Sequence, residues 1–467
     1  MLLRFFRIND PYRLIGLLII LVLLSLPFFI DPVAVTLPEL KSFVIGEAVH
    51  SGKRMYIQVY DSTAPLTSAF FGMADWIFGR SLFGRHSLSL LIIFFQASFF
   101  SSVLIVNKAY NDSTYLPALI FGLLCFLSFD FLTFSPELLA STFLLLALNN
   151  LFKEIEFRIQ RDETILNLGV YLGLASLLMF SYTIFLVATL FILIVYTRIS
   201  IRKALLLFVG YILPHAMLIT LYFFWGHTAE LWQNYYLPNL TFGGIELISM
   251  KGLLILGIVP ITYFVFSLFM LNREAHFTKY QSQLFQIMFL WLLVAVLHIF
   301  ITRELSPQSL IIFIPSLSYL VSHYLIFIRR KWIAESMLWI FLIGLVSMNL
   351  LTRYDQIPAV NLKTMFPGTS SYEKEIQNKR VMVLCDDVGI YKYNILAGYF
   401  PDWGLSQPLF EKTEYFENIV LINGAFQTDP PEVIVDPKDY MKKVIERIPG
   451  IKSKYRRDGE LYKRISN

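Results

Sequence analysis

The chain has 467 residues, of which 56% are hydrophobic and only 16% are charged. This balance excludes an ordinary soluble protein and is typical of proteins that cross a membrane many times. The net charge of +5 is small for the length, and it fits basic loops that face anionic lipid better than a nucleic-acid surface. We therefore expect a polytopic membrane protein that contacts membrane lipids and binds no nucleic acid.

Apolar runs long enough to cross a bilayer, which takes about 20 residues, predict about 11 transmembrane helices. The first run follows a basic N-terminus without a small-residue cleavage site, so we expect it to be retained rather than removed as a signal peptide. The predicted spans are 14–30, 87–107, 115–130, 136–152, 164–181, 182–197, 203–224, 252–271, 283–301, 308–328 and 333–351.

Lys and Arg concentrate in alternate connections between these spans, for example around Arg7, Arg202 and Arg329. Short loops rich in Lys and Arg stay on the cytoplasmic side during insertion. The N-terminus is therefore predicted to be cytoplasmic, and an odd number of spans places the C-terminus outside.

The composition changes after Gln356, where charges, glycine and proline become more frequent. We expect residues 1–352 to form the membrane domain, with an external loop at 31–86, and residues 353–467 to form a small α/β domain. Its predicted strands are Val381–Cys385, Ile419–Ile422 and Glu432–Val435, and its predicted amphipathic helix is Tyr440–Ile448.

The external loop after the first span is polar and carries two acids of chemical interest, Glu39 and Asp61. Thr36 is predicted to cap a helix whose first turn contains Pro38 and Glu39. A carboxylate at an external site can accept the proton of an acceptor hydroxyl group. The alternative interpretation is that both acids are ordinary solvated loop residues.

Three further polar residues fall in segments predicted to lie on the outer face. Glu137 follows Pro136 at the start of a span, where a carboxylate is costly unless it is paired or faces a wet cavity. Arg303 has the planar guanidinium that suits phosphate, although an interfacial arginine can also extend its charge to the membrane surface. His227 lies among aromatic residues that fit either an acceptor site or an interfacial belt.

These segments resemble the polytopic glycosyltransferases called GT-C, which include the protein O-mannosyltransferases and the lipid A aminoarabinose transferases. Pro38 stands where many members carry the first acid of an acidic pair. The resemblance rests on Glu39, Gly46-Glu47-Ala48, Ser51-Gly52 to Tyr56, Asp61 to Pro65-Leu66, Phe78-Gly79-Arg80-Ser81, Arg303 to Leu317, and the tail with Pro430 to Asp436, Tyr455 and Tyr462.

The resemblance implies a bacterial inner-membrane enzyme with a periplasmic C-terminal domain. Such an enzyme transfers a sugar, with inversion, from a polyprenyl-phosphate donor lipid to a hydroxyl group of a glycan, lipid or protein acceptor. It assigns Glu39 as the base, Asp61 as a second acid and Arg303 as the ligand of the donor phosphate. Glu137, His227 and Tyr60 are supporting candidates.

Two questions stay open at this point. The cofactor is unknown, and a divalent cation held by Asp61 or Glu137 is one option. The alternative function is a catalytically inactive GT-C-like scaffold whose periplasmic domain binds an envelope or secretion partner.

Overall fold

The structure is a computed structural model that describes residues 1–156, 162–241, 244–274 and 277–465. It is mostly helical and contains a small sheet near its C-terminus. The predicted fold class, a polytopic helical membrane protein with a C-terminal α/β region, is confirmed.

The helices differ widely in length, from single turns to 25 residues. In chain order they are α1 (Leu2–Phe6), α2 (Arg13–Ile30), α3 (Leu37–His50), α4 (Pro65–Phe78), α5 (Leu82–Val106), α6 (Leu116–Leu124), α7 (Pro136–Glu156), α8 (Asp162–Leu178), α9 (Ile184–Thr197), α10 (Ile201–Phe224), α11 (Thr228–Leu231), α12 (Leu237–Leu240), α13 (Met250–Leu256), α14 (Ile258–Glu274), α15 (Lys279–Ile301), α16 (Ile314–Phe327), α17 (Lys331–Arg353), α18 (Trp403–Glu411), α19 (Phe416–Thr428), α20 (Tyr440–Arg447) and α21 (Pro449–Lys452).

The strands of the described residues form two sheets. A short parallel pair joins β1 (Ile245–Glu246) to β2 (Glu304–Leu305). A five-stranded sheet has the order β4-β3-β5-β7-β6, in which β3 pairs in parallel with β4 and β5, and β7 pairs antiparallel with β5 and β6. Its strands are β3 (Arg380–Val383), β4 (Ile395–Leu396), β5 (Val433–Val435), β6 (Tyr455–Asp458) and β7 (Leu461–Arg464).

Strands β3 and β5 and helix α20 confirm three of the elements predicted for the C-terminal region. The fourth, a strand at Ile419–Ile422, is wrong, because these residues lie inside α19. Side chains three or four residues apart share one face of a helix, and the buried residues of α19 are Ile422, Ala425 and Phe426. The run of branched residues favoured a strand, whereas burial of this helical face decides the observed conformation.

Eight helical segments of the described residues are long and apolar enough to cross a membrane. A ninth span results if α13 and the adjoining part of α14, bent by 64° at their junction, count as one. The chain is therefore a multi-pass membrane protein, and among the described residues eight or nine segments, compared with the 11 predicted, meet this criterion of length and hydropathy. The eight segments are Arg13–Ile30, Leu82–Val106, Pro136–Ile155, Phe180–Thr197, Ile201–Phe224, Lys279–Ile301, Pro307–Phe327 and Lys331–Arg353.

Two predicted spans, 115–130 and 164–181, contain described helices that are shorter than this criterion requires. The first contains α6, which has nine residues, all of them buried. Its apolar side chains therefore pack inside the protein, and an apolar run alone does not distinguish this role from contact with lipid. The second contains α8, whose 17 residues extend about 25 Å, less than the roughly 30 Å of a bilayer core.

The described chain forms two compact units, each assembled from separate stretches of sequence. The membrane unit consists of Met1–Val33, Ser81–Leu218 and Phe242–Thr364, and the sheet unit consists of Ala34–Arg80, Ile219–Thr241 and Met365–Asn467. The predicted boundary between residues 352 and 353 stays a prediction about where an independent domain begins.

Within the membrane unit, α5 packs against α2, α6 and α7, and α16 packs against α6 and α14. Small residues allow α8 and α10 to approach closely. A Cβ atom on Gly169 would lie 2.3 Å from the carbonyl oxygen of Leu207, and one on Gly210 would lie 2.3 Å from that of Leu166. Glycine at both positions is therefore needed for this crossing, as is common between helices in membranes.

The sheet unit has a hydrophobic core formed by β3, β5 and the helices that cover them. The core contains Met382, Ile434, Phe400 and Phe426, and it also contains Tyr60 from the first external loop. The first loop is therefore part of the same folded unit as the C-terminal region, although more than 300 residues separate them in sequence.

Candidate active site

The helix that carries Glu39 begins as the sequence predicts. Thr36 is the N-cap of α3, and Pro38 lies in the first turn. The Glu39 backbone N–H donates to Thr36 Oγ1 (3.4 Å), while Glu39 Oε2 accepts from the Thr36 backbone N–H (3.0 Å) and hydroxyl (3.1 Å). This reciprocal capping box fixes the carboxylate at the start of α3. Glu39 is only 9% exposed there.

Asp61 is more deeply buried, at 2% exposure, and both of its oxygens are engaged. Oδ1 accepts from the backbone N–H of Thr63 (2.6 Å) and from its hydroxyl, and Oδ2 lies 3.3 Å from the ammonium nitrogen of Lys41. Lys41 lies two residues after Glu39 on α3, so the ion pair holds Asp61 beside the helix that carries Glu39. Lys41 is not among the site residues predicted from the sequence, although a buried acid generally requires a basic or hydrogen-bonding partner.

The turn that leads to Asp61 is organised around Tyr56, for which the sequence predicts no role beyond its place in a motif. Tyr56 is completely buried and adopts a positive φ of 67°, a conformation that is uncommon for non-glycine residues. Its hydroxyl group donates to the Thr63 carbonyl oxygen (2.6 Å), and its ring stacks on Tyr235 with centroids 5.6 Å apart. Burial raises the pKa of Tyr56 well above its usual value, so the hydroxyl remains a hydrogen-bond donor.

The segment Ile219–Thr241 supports this turn from the other side. Asn234 donates to the backbone carbonyl of Tyr56 (2.9 Å), and Asn239 donates to that of Ser62 (3.0 Å). His227, a predicted supporting residue, pairs instead with Glu230 in its own turn at 2.8 Å. The same segment also lines an apolar cavity of about 370 Å³ with Ile219, Leu231, Trp232 and Tyr236 among its lining residues.

Tyr60 connects the loop to the C-terminal region. Its backbone N–H donates to the Tyr399 carbonyl oxygen (2.7 Å), and its ring lies 5.7 Å from that of Phe400. Burial raises the pKa of Tyr60, which is 6% exposed. The side chain therefore packs in the core of the sheet unit and helps to place the neighbouring Asp61.

Two basic residues of the first external loop, Lys53 and Arg80, bind the C-terminal region. Lys53 pairs with Asp429, which also binds Arg380, and it donates to the Gly398 carbonyl oxygen (3.0 Å). Burial lowers the pKa of Lys53 despite this acidic partner. Arg80 binds Glu47 through two nitrogens and donates to the backbone carbonyls of Tyr391 (2.8 Å), Lys392 (3.0 Å) and Asn394 (3.0 Å).

Arg303 lies in the membrane unit, immediately before β2. Its backbone carbonyl accepts from the Ile245 N–H (2.9 Å), which extends the pairing of β1 with β2. A Cβ atom on Gly244 would lie 1.8 Å from the same carbonyl oxygen, so the close approach requires glycine. The side chain is half-buried, and its Nη1 atom has no hydrogen-bond partner among the described residues.

Glu137 also belongs to the membrane unit, at the start of α7, and is 6% exposed. Its Oε2 atom has no hydrogen-bond partner in the part of the chain that the structure describes. Asp130 and Glu304 lie within electrostatic range of its carboxyl group. The sequence therefore identified an unusual buried acid here.

The predicted residues thus divide between the two units. Glu39, Asp61, Tyr60 and His227 lie in the sheet unit, whereas Glu137 and Arg303 lie in the membrane unit. Their convergence on one point stays a prediction. Across residues 1–156, 162–241, 244–274 and 277–465, no group of three His, Cys, Asp or Glu side chains is placed to hold a metal ion.

No protein-family model matches the chain, and no curated protein matches its sequence. Among solved structures, ArnT from Cupriavidus metallidurans bound to undecaprenyl phosphate matches with a TM-score of 0.54 at 13% identity, over 97% of this chain and 97% of that chain. The same protein in its apo state matches with a TM-score of 0.51 at 11% identity, over 82% and 85% of the two chains.

An apo oligosaccharyltransferase from Archaeoglobus fulgidus matches with a TM-score of 0.46 at 10% identity, over 91% of this chain and 69% of that chain. The two ArnT matches show that the chain has the fold of ArnT, and this confirms, at the level of the fold, the resemblance described from the sequence.

Proposed function

We propose that the protein transfers a sugar from a polyprenyl-phosphate donor lipid to an acceptor hydroxyl group. The observation that carries this proposal is the fold match to ArnT with bound undecaprenyl phosphate, which extends over 97% of both chains. The apolar cavity along Ile219–Tyr236 is also suited to isoprenoid units of such a lipid.

In the proposed reaction, Glu39 is the general base. The capping box engages Oε2 and fixes the orientation of the carboxylate, and a carboxylate can accept at both of its oxygens. The acceptor proton passes to Glu39 while the acceptor oxygen attacks the anomeric carbon of the sugar. The bond between that carbon and the lipid phosphate oxygen breaks, its electron pair leaves with the phosphate, and the anomeric configuration inverts.

Asp61 has a supporting role in this scheme. Its ion pair with Lys41 and its hydrogen bonds to Thr63 hold it beside the first turns of α3. From this position it orients the acceptor. No step of the reaction is assigned to a divalent cation.

Arg303 stabilises the leaving phosphate. A guanidinium group stays charged and presents planar donors that match phosphate oxygens in pairs. The Nη1 atom of Arg303 is buried and has no partner within the described ranges, so a donor is available for a ligand. Glu137, His227 and Tyr60 support the loops around the reacting groups.

We place the protein in the bacterial inner membrane, with a cytoplasmic N-terminus and a periplasmic C-terminus. Its substrates are then a polyprenyl-phosphate sugar and a glycan, lipid or protein acceptor at the periplasmic face. The sheet unit contains both the acid-bearing loop and the C-terminal region, which makes it the part best suited to select the acceptor.

One observation favours the alternative of an inactive scaffold that binds an envelope or secretion partner. The carboxylates of both Glu39 and Asp61 have local partners that a purely structural role would explain, namely the cap at Thr36 and the ion pair with Lys41. A lipid-binding experiment separates the two functions, because a scaffold does not require a phosphate site at Arg303.

The test measures binding of undecaprenyl phosphate to the full-length protein in lipid nanodiscs by native mass spectrometry. Undecaprenol, which lacks the phosphate, is the reference ligand. We expect undecaprenyl phosphate to bind more tightly than undecaprenol. Replacing Arg303 by Ala should weaken phosphate-lipid binding by roughly tenfold or more, since a hydrogen bond to a charged group is worth about 1.5–3 kcal/mol.

Arg202→Ala is the matched control, because it removes the same side chain from an exposed position in the same unit. It should leave both lipids unaffected. Equal binding of undecaprenyl phosphate and undecaprenol to the wild-type protein would contradict the transferase proposal and support the scaffold.

A further inference from the structure

Three buried side chains of the membrane unit present polar atoms that have no hydrogen-bond partner among the described residues. They are Oε2 of Glu137, the hydroxyl group of Tyr182 and Nδ1 of His298. These residues are 6%, 1% and 0% exposed, respectively. Tyr182 and His298 have no role in the reaction proposed above.

Two of the three side chains, Tyr182 and His298, are in contact, and Glu137 lies near Tyr182. The Tyr182 ring meets the His298 ring edge to face, with centroids 5.0 Å apart, and Tyr182 lies within electrostatic range of the Glu137 carboxyl group. The second ring nitrogen of His298, Nε2, is 2.9 Å from the hydroxyl oxygen of Ser181. The hydrogen bond with Ser181 and the contact with Tyr182 fix the orientation of the imidazole, so Nδ1 is held in a place where no described residue serves as its partner.

Such an arrangement is costly without a ligand. Each buried polar atom that loses its water and gains no partner costs about 1–3 kcal/mol, and most such atoms in proteins are satisfied. Three such atoms on side chains near one another therefore indicate a molecule that offers several hydrogen bonds.

The chemistry of the cluster restricts the class of that molecule. Two further acids, Asp130 and Glu304, lie within electrostatic range of the Glu137 carboxyl group, which disfavours a phosphate group at this position. An apolar chain would leave all three atoms unsatisfied. A carboxyl group, a phenol and an imidazole together can both donate and accept, and this combination fits the adjacent hydroxyl groups of a carbohydrate.

We propose that Glu137, Tyr182 and His298 form a subsite that binds hydroxyl groups of the transferred sugar and so contributes to donor specificity. The inference rests on the proposed function, because it takes the sugar of the donor lipid as the occupant. It assigns Tyr182, His298 and Glu137 as sugar-binding residues.

The test compares four lipids on the full-length protein in nanodiscs. One is sugar-free undecaprenyl phosphate, and the other three are undecaprenyl-phosphate sugars with glucose, mannose or 4-amino-arabinose. We expect at least one sugar-bearing lipid to bind the wild-type protein more tightly than the sugar-free lipid. Tyr182→Phe and Glu137→Gln should each reduce this difference by about five- to tenfold. Their affinity for sugar-free undecaprenyl phosphate should change less than about twofold.

Tyr319→Phe is the matched control. Tyr319 is also fully buried in the membrane unit, and its hydroxyl group likewise lacks a partner within the described part of the chain. Its replacement should leave both affinities unchanged. The Tm of Tyr182→Phe without ligand should be equal to or higher than that of the wild type, because the variant removes an unsatisfied buried group.

The inference is overturned if no sugar of the panel increases the affinity of the wild-type protein above that of undecaprenyl phosphate. It is equally overturned if Tyr182→Phe and Glu137→Gln retain the full difference in affinity between sugar-bearing and sugar-free lipid. That result would leave buried water as the partner of the three polar atoms. Failure of undecaprenyl phosphate itself to bind the wild-type protein is a separate result, and it would refute the proposed function together with the subsite.

Discussion

Gly244 offers a direct test of whether backbone pairing sets the position of Arg303. A Cβ atom at residue 244 would lie 1.8 Å from the Arg303 carbonyl oxygen, 2.5 Å from its carbon and 3.0 Å from its Cα. Favourable van der Waals contacts lie at about 3.5 Å, so β1 and β2 must separate by about 1.5 Å or more in Gly244→Ala. The hydrogen bond from Ile245 to Arg303 (2.9 Å) does not survive such a shift.

We expect Gly244→Ala to weaken phosphate binding although the phosphate-binding residue, Arg303, is itself unchanged. Misplacing a binding group by about 1 Å can cost up to two orders of magnitude, and we expect undecaprenyl phosphate affinity to fall at least roughly tenfold in Gly244→Ala. The assay is the nanodisc titration described above, with the amount of folded protein measured by gel filtration.

Gly424→Ala is the control, because a Cβ atom there meets no heavy atom within 4 Å and the residue lies inside α19. Alanine in a helix interior is more favourable than glycine, so this variant should bind normally and be slightly more stable. Wild-type affinity in Gly244→Ala, combined with lost affinity in Arg303→Ala, would refute the reasoning.

Three further predictions concern the sheet unit and the topology. Glu39→Gln should lower the release of undecaprenyl phosphate from a sugar donor by roughly 10²–10⁴-fold, because it removes the base. Its Tm should stay within a few degrees of the wild type, because glutamine also completes a capping box with Thr36. Wild-type turnover would leave Glu39 a purely structural role. Asp429→Asn should destabilise the sheet unit by about 3 kcal/mol, since it leaves the buried Lys53 without its acid. It should also speed amide exchange in the first loop. Unchanged exchange would count against an attachment of this loop through Lys53 and Asp429. A reporter fused after Asn467 should be detected outside the cytoplasm, and its recovery in the cytoplasm would contradict the predicted orientation.

Local features of the fold could be predicted well from the sequence. The cap formed by Thr36, Pro38 and Glu39 depends only on residues within one helical turn, and it has the predicted geometry. Strands β3 and β5 were also predicted, because short apolar runs between polar residues are typical of buried strands. Glu137 was identified because a carboxylate inside an apolar segment is unusual wherever the chain folds.

The errors came from features that depend on distant contacts. The apolar run of α6 predicted a span, but whether its surroundings are lipid or other helices is decided by the rest of the fold. The branched residues at Ile419–Ile422 predicted a strand, but they lie in a helix that buries Ile422 together with Ala425 and Phe426.

The partners of the candidate site residues could not be predicted from the sequence either. The pairing of Asp61 with Lys41, and the stacking of Tyr56 on Tyr235, join residues whose spacing follows no periodic pattern. The roles of Tyr182 and His298 could not be predicted either, because they become notable only when their polar atoms are seen to lack partners.

The attachment of the first loop to the C-terminal region has a consequence for the order of biosynthesis. Lys53 is synthesised 345 residues before Gly398, whose carbonyl oxygen it binds. At the usual rates of translation, about 5–20 residues per second, roughly 20 to 70 seconds pass between the two residues. During that time the segment with Glu39 and Asp61 is already made but lacks the surface that anchors it. A ribosome that stops before the final strands are made therefore releases a chain with complete membrane helices and an unanchored acid-bearing loop.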